Sequence, residues 1–150
     1  RYTHALVRRP CARFASGLTQ SSEGPPDLAR ALGQHAAYCG ALADLGIEVT
    51  TLPDAPDHPD GTFVEDTALC FADFCVIARP GAPSRRGECA SVAPALQRHY
   101  RQVSTIEEPG TLDGGDICLA EDLLLIGHSA RTNEAGATAA DWSSHVDSSC

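Results

Sequence analysis

The sequence predicts an α/β fold built from repeated β-β-α-β modules. Apolar runs of strand length alternate with one-sided helical stripes, so the elements read β, α, β, β, β, α, β, β, β, α. A pattern of carboxylate, hairpin and arginine is written twice, in "TFVEDTALCFADFCVIARPGAPSRR" (62–86) and in "TLDGGDICLAEDLLLIGHSARTN" (111–133). The spacing of roughly 50 residues is that of an internal repeat. "LVRRP" (6–10) echoes "VIARP" (76–80), as though the chain opens on the second strand of a module.

Each element has a local reason. Thr3 to Arg8 reads as a strand ended by Pro10, and residues 14–26, rich in Ser, Gly and Pro, read as loop. From Asp27 to Leu45, the residues Leu28, Ala31, Leu32, Ala36, Cys39, Leu42 and Leu45 fall on one helical stripe, with Asp27 as N-cap and Gly46 as stop. "IEVTTL" (47–52) alternates like a strand. "PDAPDHPDGT" (53–62) holds three prolines and can continue neither helix nor ladder. "FVEDTALCF" (63–71) and "FCVIAR" (74–79) read as a hairpin, Glu88 to Tyr100 as a helix with Pro94 against it, and "QVSTIE" (102–107) as a strand. "DICLA" (116–120) and "LLLIG" (123–127) form the second hairpin, and "TNEAGATAADW" (132–142) begins the last helix.

The chain has 150 residues, 43% of them hydrophobic, and no methionine. One domain over 1–141 is expected, with a core of small and medium side chains, followed by a polar tail at 142–150. The net charge of −9 disfavours nucleic acid and anionic membranes as partners. No apolar run reaches membrane-spanning length. The seven cysteines contain no C-x-x-C pair; Cys70, Cys75 and Cys118 lie in apolar runs and are expected to be buried, reduced thiols in a cytoplasmic protein. Their spacing argues against a structural metal.

Asp60, Glu65, Asp66, Asp113 and Asp116, if gathered in one cleft, would repel each other and favour a cationic ligand. A planar guanidinium matches carboxylate geometry best, and Arg85 and Arg131 could clamp a carboxylate at the other end. The implied ligand is a small zwitterionic amino acid with a guanidinium tail. An acid before a strand and an arginine after one are ordinary features of element ends. Two copies in register are what point to function.

Four segments, "FVEDTAL" (63–69), "RPGAPSRRGE" (79–88), "GTLDGGDI" (110–117) and "SARTNEAG" (129–136), resemble in order the signatures of dimethylarginine dimethylaminohydrolase, a family of the guanidino-group-modifying, or pentein, superfamily. "SGLT" with the following "PD" (16–27) is similar too, so the resemblance covers about residues 1–141. It implies a β/α propeller of five β-β-α-β units, of which this chain holds roughly three. The implied reaction is hydrolysis of N-omega-methylated arginine, asymmetric dimethylarginine or monomethylarginine, to citrulline and methylamine or dimethylamine, through a cysteine-thiouronium intermediate and without cofactor. Asp66 would then hold the guanidinium, Asp60 and Glu65 would line the pocket, Arg85 and Arg131 would bind the α-carboxylate, and Leu18 would be the lid. Asp113, where bacterial relatives often carry glutamate, would orient and charge a catalytic histidine.

The family's "LHLK"-like histidine segment and its later cysteine have no counterpart here, and "DWSSHVDSSC" (141–150) does not resemble the family. His145 and Cys150 stand in no family motif, and Trp142 reads as a packing residue. The chain is therefore expected to be part of a longer enzyme, with homodimerisation left open. Two alternatives remain: an arginine deiminase-like amidino hydrolase, and a non-catalytic remnant that binds guanidino amino acids.

Overall fold

The computed structural model describes residues 2–120 and 123–140. The chain divides into two compact units, residues 1–64 and 65–150. His145, Cys150 and Trp142 lie outside the described residues.

The first unit is a strand, a helix and a strand: β1 (His4–Val7), α1 (Leu28–Asp44) and β2 (Glu48–Thr51). β2 pairs parallel with β1, as a helical crossover allows. Asp27 caps α1, its Oδ1 accepting from the Arg30 N–H at 2.6 Å. The helix stops at Gly46, whose φ of +76° is open to glycine at little cost. The Gly46 and Ile47 N–H groups donate back to Ala43 and Leu42, which closes the end in a Schellman motif. The expected stripe is half-buried at Leu28, Ala31, Leu32, Cys39 and Leu42. Ala36 and Leu45 are exposed instead, and His35 takes the stripe position one residue before Ala36, within 3.7 Å of the Cys39 sulfur. The 3.6-residue period places position 35 between 32 and 39, and alanine exposes little apolar area there.

The second unit holds β3 (Ala68–Cys70), β4 (Phe74–Ile77), α2 (Val92–Leu96), β5 (Gln102–Thr105), β6 (Ile117–Ala120), β7 (Leu123–Ile126) and α3 (Glu134–Ala139). β3 and β4 form an antiparallel hairpin, and β5 returns parallel to β4. That is one complete β-β-α-β module, and β6, β7 and α3 repeat its first three elements. The core gathers Leu69, Phe74, Val76, Ala78, Ile106, Leu112 and Ala140, with Ile117, Leu124 and Ile126 packed against it. Every residue of β4 is buried, as befits a strand paired on both edges.

The α/β class and the order of elements agree with the sequence reading. The strands lie in three open sheets of two, three and two strands among the described residues. Three local expectations are corrected. The strand expected from Phe63 begins only at Ala68, because Val64–Thr67 winds into a 3-10 turn carrying Glu65 and Asp66. The helix expected over Glu88–Tyr100 is α-helical only over Val92–Leu96, preceded by a 3-10 stretch over Pro83–Ser91. Pro83 fixes φ for its first turn, and Pro94 falls in the first turn of α2, where its missing N–H has no intrahelical partner to lose. Cys75 is buried as expected, but Cys70 and Cys118 are exposed. Side chains alternate across a strand, so an apolar run does not bury every member. No helix among the described residues is long and apolar enough to cross a membrane.

Candidate functional site

The repeat delivers its acids on matching turns. Asp66 lies in the 3-10 turn Val64–Thr67 before β3, and Asp116 ends the 3-10 turn Gly114–Asp116 before β6. The loop after β5 is tied to the end of β4 by a bridge between Leu112 and Arg79, with the Leu112 N–H donating to the Arg79 carbonyl at 2.8 Å. Arg79 also donates to the Gly110 carbonyl at 2.9 Å. These bonds bring Asp113 to the turn that carries Arg85.

Backbone contact sets the remaining geometry. At Gly114 a side chain would run into the Glu65 carbonyl, and at Gly81 it would meet the Arg131 Cα at 2.6 Å. The "DGGD" and "RPG" glycines therefore let chain segments touch where any larger residue would hold them apart. Asn133 caps α3, accepting from the Gly136 N–H at 2.8 Å, and donates to the Pro109 carbonyl at 2.9 Å. The segment "ART" just before it is fixed accordingly.

The result is a chain of ion pairs within the second unit. Arg85 donates through Nη1 to Asp66 at 2.8 Å and stands 3.7 Å from Asp113. Its Nε and Nη2 both donate to Glu88, at 3.1 and 2.9 Å. Arg131 lies 3.4 Å from Asp113 through Nη1 and donates through Nη2 to Asp116 at 2.6 Å. Asp116 also accepts from the hydroxyls of Ser129 and Thr132, each at 2.7 Å. Asp66, Arg85, Asp113 and Arg131, singled out in the sequence, are brought together. Glu65, on the same turn as Asp66, is exposed.

The electrostatics divide the two repeats. Arg85, Glu88 and Asp113 are buried, whereas the Arg131 side chain is 48% exposed. Burial raises the Asp113 pKa, and the neighbouring Asp66 raises it further, against the Gly115 N–H and the two arginines. Burial also acts upward on Asp116, but the Ser129, Thr132 and Arg131 donors outweigh it and its pKa is lowered. Arg85 loses by burial and gains more from Glu88 and Asp66, so its charge is held firmly. Four carboxylates, those of Asp66, Glu88, Asp113 and Asp116, surround two guanidinium groups. Such a cluster retains negative potential.

In the first unit, Asp60 is buried and both its carboxylate oxygens accept from the Leu18 N–H at 3.1 Å. Leu18 itself is 63% exposed on the loop after the 3-10 turn Phe14–Ser16. Leu18 and Asp60, each singled out in the sequence, thus share a direct bond.

Glu88 was not among the residues singled out, nor were Ser129 and Thr132. The signal for Glu88 was its position three residues after Arg85 in "SRRGE", which places an acid and a base on one side of a 3-10 turn. Thr132 holds two turns together, accepting from the Asp113 N–H at 3.1 Å while donating to Asp116. A threonine hydroxyl gives no such signal in sequence.

No family model matches. The N(G),N(G)-dimethylarginine dimethylaminohydrolase of Pseudomonas aeruginosa is 45% identical over 137 residues, which is 91% of this chain and 54% of that protein. The protein of the same name from Streptomyces coelicolor is 45% identical over 133 residues, 88% of this chain and 52% of that protein. A structure of the Pseudomonas aeruginosa protein, a cysteine-to-serine mutant complexed with citrulline, superimposes with a TM-score of 0.89 at 45% identity, covering 92% of this chain and 55% of that one. The N-terminal domain of the arginine dihydrolase ArgZ shares the fold at a TM-score of 0.78 and 18% identity. The chain spans about half the length of the curated relatives it matches. In sequence and fold, about nine-tenths of the chain is similar to roughly half of the dimethylarginine dimethylaminohydrolases.

Proposed function

We propose that the protein contributes the substrate-binding acids and arginines of a hydrolase that converts N-omega-methylated arginine to citrulline and a methylated amine. The observation that carries this reading is the joined cluster of Asp66, Arg85, Asp113 and Arg131. With Glu88 and Asp116 it holds four carboxylates to two guanidinium groups; that excess suits a guanidinium tail, and the half-exposed Arg131 suits a carboxylate head. A relative of the same fold was crystallised with citrulline, the product this reaction would leave.

Asp66 would receive the guanidinium nitrogens, with Asp60 and Glu65 at the polar ends of the ligand and Leu18 over it. Arg131 offers exposed N–H groups to the α-carboxylate. Arg85, whose Nε and Nη2 edge is engaged by Glu88 and whose Nη1 donates to Asp66, adds a fixed positive charge that would attract the same carboxylate. Asp113 would orient and charge a histidine acting as general acid and then general base.

The chemistry asks for these types. Resonance makes a guanidinium a poor electrophile, so catalysis begins with holding its central carbon against a thiolate. The bound positive charge also favours thiolate over thiol. Attack by the cysteine, loss of the methylated amine, and hydrolysis of the thiouronium would complete the cycle. The proposed architecture is a propeller of five modules like the one formed by β3, β4, α2 and β5. Measuring citrulline released by the protein at the length of its relatives tests the reading. Release from asymmetric dimethylarginine but not from arginine supports it; release from arginine alone identifies a deiminase, and binding without release a non-catalytic protein.

A further inference from the structure

Cys70 and Cys75 are direct cross-strand partners in the β3–β4 hairpin. The hydrogen-bonding alternation shows which kind of pair they form. The Phe71 N–H donates to the Phe74 carbonyl and the Ala78 N–H to the Thr67 carbonyl, so bonded rungs fall at 71 with 74 and at 67 with 78. Counting inward by alternation, the rung joining Cys70 and Cys75 is non-hydrogen-bonded, the type that brings Cα atoms to about 4.5 Å with both side chains on one face. A disulfide needs a Cα separation of about 4.4–6.8 Å. We propose that Cys70 and Cys75 are a dithiol that closes to a disulfide across the hairpin when a small-molecule disulfide oxidant is present.

The two thiols differ in a way that sets the order of events. Cys75 is fully buried, and burial, with Cys70 close by, pushes its pKa up to about 11. Cys70 is exposed; partial burial still raises its pKa, and a hydrogen bond with the Tyr100 side chain pulls it partly back. Cys70 is therefore the thiol an oxidant reaches first. Its thiolate attacks one sulfur of glutathione disulfide and expels the first glutathione thiolate. The Cys75 thiolate then attacks the Cys70 sulfur and expels the second. Two cysteine thiols lose two electrons, and their protons end on two glutathione molecules. The high pKa values make both steps slow at neutral pH and faster in mild alkali.

The test is oxidation of the full chain by glutathione disulfide under native conditions, with blocking of remaining thiols and non-reducing peptide mapping. The expected product is a peptide joining Cys70 to Cys75, lighter by two hydrogens, whose rate of formation rises with pH. Cys70→Ser abolishes it and leaves Cys75 unmodified. Cys75→Ala stops the reaction at the mixed disulfide on Cys70. Should that core variant not fold, Tyr100→Phe serves instead, and slower closure at neutral pH is expected because the bond that favours the Cys70 thiolate is gone. A stable glutathione adduct on Cys70 in the unmutated chain, or linkage of Cys70 to Cys118 or Cys11 while Cys75 stays free, overturns the proposal.

Discussion

Arg85 and Glu88 meet edge to edge: the guanidinium Nε and Nη2 both donate to one carboxylate, and the two side chains are 8% and 1% exposed. A buried pair of this kind is held by its own geometry, and removing one partner strands the other. Glu88→Ala is expected to destabilise the protein by about 3–5 kcal/mol, read by urea unfolding. Glu88→Gln, which keeps the shape and one acceptor, should cost less. An unchanged midpoint in Glu88→Ala would mean that Arg85 is anchored by Asp66 alone.

Arg131 should behave in the opposite way. Its pairs with Asp113 and Asp116 are half open to water, so Arg131→Ala should change stability by no more than about 1 kcal/mol. Its expected effect is on ligand, a loss of about 1.5–3 kcal/mol in affinity for a methylated arginine, measured calorimetrically on the protein at the length of its relatives.

Gly114 is a packing position and not a hinge. A methyl group there would press into the Glu65 carbonyl and against the Asp66 backbone. Gly114→Ala is expected to cost about 1–3 kcal/mol in unfolding free energy through forced backbone movement. A neutral result would show that the turn carrying Asp66 can yield.

Asp113 and Asp116 should push stability in opposite directions as pH changes. Asp113 has a raised pKa, so the folded state holds its proton more tightly than the unfolded chain and stability falls as pH rises above about 3.8 through the raised value. Asp116 has a lowered pKa, so its contribution is present above 3.8 and is lost as pH falls through the lowered value. Unfolding measured from pH 3 to pH 7, a window of roughly the carboxylate range, should show Asp113→Asn gaining on the parent with rising pH and Asp116→Asn losing to it. Parallel curves would contradict both assignments.

What was legible in the sequence follows from which forces act locally. The order of strands and helices came from periodicity, and the Asp27 cap and Gly46 stop came from backbone chemistry acting within a few residues; both are found. The 3-10 turns at Val64–Thr67 and Pro83–Ser91 were missed because apolar spacing does not separate a tight turn from the end of a strand or the start of a helix. The repeat disclosed Asp66 with Asp116 and Arg85 with Arg131. It could not disclose that one arginine is buried and the other half exposed, because burial depends on segments distant in sequence. Glu88 and Thr132 act through tertiary contacts of the same kind, so neither stood out before the fold was known.

A crystal structure with asymmetric dimethylarginine, on the protein at the length of its relatives, examines most directly whether this cluster is where substrate binds. The account predicts guanidinium nitrogens within about 2.7–3.2 Å of the Asp66 carboxylate and the ligand carboxylate at Arg131. A ligand seated elsewhere, with the bonds from Arg85 to Asp66 and from Arg131 to Asp116 undisturbed and no contact to either acid, would contradict it.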